Sequence, residues 1–389
     1  MSYKLMLDKK HKDGLLKLGT KIKLNNIKIL DPKESKPNLS YRAVAKLAIR
    51  PNVNHMKSYE KHESIKNGRF SIGLFQPSTH KIVDLKTCPI HNPLINKCLS
   101  NIRACLEESS LTPWNEEKNC GDLRYLIIRS SHRGNELMLT FVVSNKNVFL
   151  ELRRLVKKIQ QNVHISASFM NVHNEDGNKV LGETTKKIAG ADRLRISLCG
   201  LSLHLSPTSF FQVNPFVAEK IYHRIEQLIG VPQNNQTCAW DLYCGIGHIG
   251  LIMARAGYRV FGLEENPGSI VDAQYNSRMN QLEEKTKFVS SKVEDFLSDS
   301  EERLPSWAQS PQIIIVNPSR KGLSESVIKY FIEMKNIQST HRIIYISCNI
   351  DSFARDLDQL TSAGYRLSQI ESFDMFAQTD KLEWLAVLH

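Results

Sequence analysis

The stretch Thr237-Cys-Ala-Trp-Asp241-Leu-Tyr-Cys-Gly245-Ile-Gly247-His-Ile-Gly250 decides the fold. An apolar strand runs to Tyr243, a glycine loop follows, and a helix opens and continues to Ala256. Glycines at such a bend let backbone approach a ligand closely. Reading outward, Arg259 to Leu263 is a second strand that ends in Glu264-Glu265, and Pro267 to Asn280 fits a helix. Short apolar strands follow at Lys287 to Ser290, Gln312 to Val316 and Arg342 to Ser347, with helices at Leu323 to Met334 and Ile350 to Thr361. Strands that alternate with helices imply a mostly parallel sheet covered on both faces. Tyr365 to Phe373 and Leu382 to Leu388, joined only by a loop, read as a closing hairpin with one antiparallel member. Residues 205–389 are therefore expected as a Rossmann-like α/β domain.

Upstream the rhythm differs. Tyr41 to Arg50, Gly68 to Phe75, Leu123 to Arg129 and Glu136 to Val143 alternate as strands do, and Gly134-Asn135 reads as a hairpin turn. Asn92 to Glu108 and Val148 to Gln160 fit helices. Residues 37–204 are expected as an α+β domain rich in antiparallel strands. Residues 1–36 are a Lys-rich segment. The 389-residue chain carries a net charge of +12, and residues 1–60 hold fourteen Lys and Arg against five Asp and Glu. That density points to a polyanion, with RNA or DNA first and an anionic membrane second. The segment lacks the sustained amphipathic pattern of a membrane-surface helix. No apolar run approaches the ~18 residues of a membrane span, and Met1 to Lys10 is too polar for a secretory signal. A soluble, cytoplasmic chain is the expectation. No segment suggests assembly, so a monomer is expected.

Four chemical positions fall at predicted strand ends, where open α/β sheets place their ligand crevice. They are the Asp241 to Gly247 loop, Glu264, Asn317 in Asn317-Pro-Ser-Arg320, and Cys348. Glu264 is placed to accept hydrogen bonds from a ribose diol. The spacing of Gly245, Gly247 and Gly250 comes close to a nicotinamide site, but Asp241 and Asn317-Pro318 shift the balance to S-adenosylmethionine. Arg320 is placed to contact a phosphate or a base carbonyl. The eight cysteines form no C-x-x-C pair and no disulfide framework. Cys348 stands apart, because a helix start beside its sulfur favours thiolate. A nucleophilic thiol beside a methyl donor suits the C5 of a pyrimidine, a poor nucleophile until a thiolate adds at C6.

Ser209-Phe-Phe-Gln212-Val-Asn214, Asp241-Leu-Tyr-Cys-Gly245, Asn317-Pro-Ser-Arg320, Ser347-Cys348-Asn349 and Phe373-Asp-Met-Phe376 occur in the order and spacing of a known family. Together they resemble the RNA uracil-C5 methyltransferases, which make 5-methyluridine. The resemblance covers roughly 38–389. Tyr41-Arg42 and Ile82-Val-Asp-Leu-Lys-Thr-Cys88-Pro89 are similar to the branch acting on 23S rRNA. It implies a Rossmann-like S-adenosylmethionine-dependent methyltransferase domain preceded by an α+β RNA-recognition domain. It implies Cys348 as nucleophile and Glu383 as general base. It places Gln212, Tyr243, Gly245, Glu264 and Asn317 around S-adenosylmethionine. Read by themselves, Gln212 and Asn214 are equally candidates for capping a helix near Pro215, and Glu383 for a solvated strand residue.

The chain departs from the family's pattern in several places. Relatives often carry three N-terminal cysteines that join a fourth to hold a [4Fe–4S] cluster. Cys88 matches the fourth, but no cysteine precedes it, so no iron–sulfur cluster is expected. Ser319, Lys292, Ala377 and Lys381 replace usual residues. They keep two alternatives open beside 23S methylation, namely tRNA uridine methylation and a catalytically weak RNA-binding ribosome-assembly factor.

Overall fold

A computed structural model describes residues 2–52, 68–175, 179–298, 304–337 and 341–389. Lys57 and Glu60 of the basic segment lie outside the described residues. The chain forms two compact units, one of Met1–Asn38, Ser197–His204 and Ser209–His389, the other of Leu39–Ile196 and Leu205–Thr208.

In the first unit, β11 (Cys238–Leu242), β12 (Arg259–Glu264), β13 (Thr286–Ser290), β14 (Ile313–Val316) and β15 (Arg342–Ser347) pair in parallel. β17 (Glu383–Leu388) lies antiparallel between β15 and β16 (Leu367–Phe373). A short β1 (Lys28–Ile29) adds to the far edge parallel to β16, so eight strands run β1-β16-β17-β15-β14-β11-β12-β13. The inner parallel strands β11 and β14 are short and apolar because both their faces are covered; all four residues of β14 are buried. The helices of this unit are α4 (Pro215–Ile229), α5 (His248–Arg255), α6 (Pro267–Met279), α7 (Val293–Ser298), α8 (Glu325–Ile337) and α9 (Ile350–Ser362). Three begin on an Asn that accepts a backbone N–H and so supplies the cap: Asn214, Asn266 and Asn349. This is the Rossmann-like fold expected for 205–389, with its antiparallel member in the last hairpin.

Residues 1–36, set apart in the sequence as a basic segment, fold into this first unit. Ser2 caps α1 (Tyr3–Gly19). Leu7, Leu18 and Ile22 join the core that contains Trp240, Phe331, Phe353 and Trp384. The buried face of α1 also carries Lys10, His11 and Gly14. Lys10 is admitted because its Nζ meets Asp374 Oδ1 at 2.7 Å, and Tyr3 donates to the other oxygen of the same carboxylate at 2.7 Å. His11 bonds Ser372 at 2.8 Å and stacks on Trp384 at 5.7 Å. A Cβ at position 14 would collide with that indole ring. A stripe of Leu, Lys, His and Gly shows no hydrophobic period, which is why the helix escapes a pattern-based reading.

The second unit is a seven-stranded sheet ordered β4 (Ile82–Asp84), β3 (Phe70–Phe75), β2 (Val44–Pro51), β5 (Leu123–Ser130), β6 (Leu137–Val143), β7 (Ala167–Val172), β8 (Thr184–Gly190). Its pairings are antiparallel apart from β6 with β7, which are parallel and are joined by α3 (Phe149–Ile159). One sheet face packs on α3 and on α2 (Pro93–Glu107) through Leu47, Ile49, Leu99, Ile102, Phe141 and Leu152. The two-stranded β9 (Leu194–Leu198) and β10 (Leu201–Leu205) carry the chain between units.

Candidate active site

The carboxyl ends of the parallel strands gather the residues singled out in the sequence. Asp241 sits near the end of β11, Glu264 ends β12, and Asn317 and Cys348 directly follow β14 and β15. β17 runs the other way, so its first residue, Glu383, lies at the same edge. Ser347 pairs with Trp384, and one further step along this antiparallel register sets Cys348 opposite Glu383.

The glycine loop is held by carboxylates. Asp241 Oδ2 accepts from Gly250 N at 2.7 Å. Glu264 accepts from Gly245 N at 3.1 Å and from Asn266 N at 2.9 Å. Burial pushes the Asp241 carboxyl up to about 7, and the neighbouring Glu264 charge adds to it. Burial raises Glu264 also. Asp241 Oδ1 is buried with no hydrogen-bond partner, a state that costs free energy until a donor arrives. Gly245 has φ +53°, and a Cβ there would meet nothing within 4 Å, so the loop keeps open space above its backbone. An orphaned acceptor, a carboxylate at the next strand tip and an uncrowded glycine fit the adenosyl and amino-acid parts of S-adenosylmethionine.

Tyr243, also at positive φ (+64°), donates to Glu294 at 3.0 Å. It lines a cleft of about 810 Å³ together with Glu265, Lys292 and Ser319. Gln212 is half-buried ahead of α4, and the cap of that helix is Asn214, whose Oδ1 accepts from Val217 N at 3.3 Å. The capping alternative thus holds for Asn214. Asn317 is half-buried, and its N–H donates to Leu242 O at 3.4 Å.

Cys348 opens into a second cleft of about 640 Å³. Its loop is tied to the Asn317–Arg320 turn, because Arg320 O accepts from Asn349 Nδ2 at 2.8 Å and Ser352 Oγ at 3.2 Å. The helix start beside the sulfur was expected to favour thiolate. Instead burial, followed by the Glu383 charge, pushes the thiol up, while the positive charge of the Arg320 guanidinium pulls it down. Glu383 is not a solvated strand residue. It is buried, and burial pushes its carboxyl up to about 8. Burial thus disfavours the charged form of both the thiol and the acid that lies opposite it. α1 residues of the Lys-rich segment line the same cleft, Lys9 and Lys17 among them. The sequence signal for them is the basic density of residues 1–60, which points to a polyanion but does not place them beside Cys348.

Among the described residues no group of three or more His, Cys, Asp or Glu is arranged to hold a metal ion. No described helix is long and apolar enough to cross a membrane.

A glycine loop after the first parallel strand, an acid ending the second and an antiparallel last strand define a Rossmann-like methyltransferase. A family profile described as tRNA (uracil-5-)-methyltransferase matches residues 3–389, and the chain belongs to that family. Curated relatives agree. An uncharacterized RNA methyltransferase of Listeria monocytogenes is 30% identical over 327 residues, 83% of this chain and 69% of that one. Another, from Geobacter sulfurreducens, is 31% identical over 346 residues, 88% of this chain and 68% of that one. Among solved structures, the Pyrococcus abyssi tRNA (uracil-54, C5)-methyltransferase bound to S-adenosyl-L-homocysteine shares the fold. Its TM-score is 0.75 at 24% identity, and the match covers 100% of this chain and 84% of that one. The chain is an enzyme of the RNA methyltransferase class.

Proposed function

We propose that the protein methylates C5 of a specific uridine in RNA, 23S rRNA first, through a covalent bond between Cys348 and C6 of the base. The observation that carries this reading is the register that sets Cys348 opposite a buried Glu383. S-adenosylmethionine supplies the methyl group, held by Gln212, Tyr243, Gly245, Glu264 and Asn317. The Cys348 thiolate adds to C6, and the electron pair moves through C5 to the O4 enolate. The Arg320 guanidinium favours the thiolate electrostatically, and in this reading it also meets the substrate's phosphate or carbonyl. C5 then attacks the methyl carbon, whose bond to the sulfonium breaks, leaving S-adenosylhomocysteine. The ionised Glu383 removes the C5 proton, the C5=C6 bond re-forms, and the Cys348 sulfur leaves as thiolate.

Buried carboxyls whose ionised form is disfavoured are strong bases once ionised, which suits removal of a carbon-bound proton. The rRNA reading rests on Tyr41-Arg42 and Ile82 to Pro89. The tRNA alternative rests on the description of the family profile. Mapping 5-methyluridine in 23S rRNA and in tRNA from cells lacking the protein separates them. Loss of a 23S position supports the first, and loss confined to tRNA sinks it.

A further inference from the structure

We propose that α1 is the phosphate-holding wall of the substrate cleft, with Lys9 and Lys17 gripping the RNA backbone beside the uridine at Cys348. This rests on the reading of Cys348 as the uridine site. The cleft has two walls. One is a single face of α1, residues 6, 9, 10, 13, 14 and 17, the i, i+3, i+4, i+7 stripe of a helix. The other carries Cys348, with Arg320 and Lys381. Five cationic side chains line the space against three carboxylates, Asp13, Asp351 and Asp380. Lys10 is turned inward to Asp374, and Lys17 meets Asp351 at 3.2 Å in a solvent-exposed pair that an incoming phosphate can exchange.

The two exposed lysines stand eight residues apart, about 12 Å along the axis. They are not on a loose tail. Asp374, Ser372 and Trp384 clamp the same helix through Lys10, Tyr3 and His11, and Trp384 is the residue after Glu383. The lysines are thereby presented at a set height above the reacting groups. A rigid cationic wall beside a pocket for one extruded base is what recognition of a flipped nucleotide requires: the backbone is held while the base enters.

The test uses the full chain with 23S rRNA and tRNA transcripts made with 5-fluorouridine. Fluorine replaces the C5 proton that the base must remove and cannot itself be abstracted as a cation, so the Cys348 adduct persists. The double variant Lys9→Ala/Lys17→Ala should bind RNA about tenfold more weakly at low salt. Its log Kd against log salt should be shallower by about 1.4, roughly 0.7 for each lost single-strand phosphate contact. S-adenosylhomocysteine affinity should not change, and Lys9→Arg/Lys17→Arg should restore both Kd and slope. An unchanged Kd and slope, with adduct still formed by the parent protein, overturns the role of α1. A parent protein that forms no adduct with either transcript overturns the uridine site itself, and the wall with it.

Discussion

The two halves of the strand-end edge solve opposite problems. Around β11 and β12, carboxylates are spent on backbone: Asp241 and Glu264 accept from Gly250, Gly245 and Asn266. Around β15 and β17, Cys348 and Glu383 face each other with their charged forms disfavoured by burial. In the first half these carboxylates hold the backbone of the glycine loop, while Asp241 Oδ1 and His248 Nε2 are buried with no hydrogen-bond partner. In the second half, burial raises the pKa of both the thiol and the carboxyl, the kind of perturbation the proposed reaction uses.

Cys348→Ala gives the largest break between the halves. Methylation should fall to background while S-adenosylhomocysteine affinity, measured by calorimetry, stays within about twofold; a parallel loss of affinity would mean that the halves are one unit. Glu383→Gln should leave addition and methyl transfer intact and slow release by about 10²–10⁴-fold. A covalent RNA–protein band should then accumulate on a denaturing gel, and a gel without one removes Glu383 from the base role.

Asp241→Asn sharpens the binding side. It replaces the acceptor of Gly250 N with a group that can present a donor, at a cost of about 1–3 kcal/mol. Cofactor affinity should drop about tenfold or more, with the pH profile of Cys348 alkylation unchanged.

The finest readout is the pH dependence of stability. Glu383 titrates near 8 in the folded chain and near 4.5 in an ordinary environment, so the folded state holds a proton that the unfolded state has lost. That stability is complete below about 4.5 and is lost as pH rises through about 8, with a slope up to about 1.4 kcal/mol per pH unit. Thermal unfolding of Glu383→Gln should lack this component. Parallel curves for variant and parent from pH 5 to 8 would contradict the buried acid.

Much of this site is legible in residue order. A glycine loop after an apolar strand, Glu264 at the next strand end and Cys348 before a helix are each a local pattern, since backbone conformation and strand ends are set by near neighbours. The helices 92–108 and 148–160 and the strands from 237 onward appear in the structure with ends shifted by at most two residues. The cap role of Asn214 is equally local.

Other features depend on groups distant in sequence. Lys10 reads as a solvated charge, and only Asp374, 364 residues away, makes it an interior one. Glu383 reads as a surface residue until β17 inserts between β15 and β16, which buries it and aligns it with Cys348. The thiol's direction of shift likewise followed burial and a neighbouring acid rather than the helix start beside it. Sequence by itself determined the class of chemistry, because residue type and spacing specify which groups stand at the strand ends. Tertiary structure alone decided their protonation and the wall above them, because desolvation and charge pairing are properties of what is packed around a group.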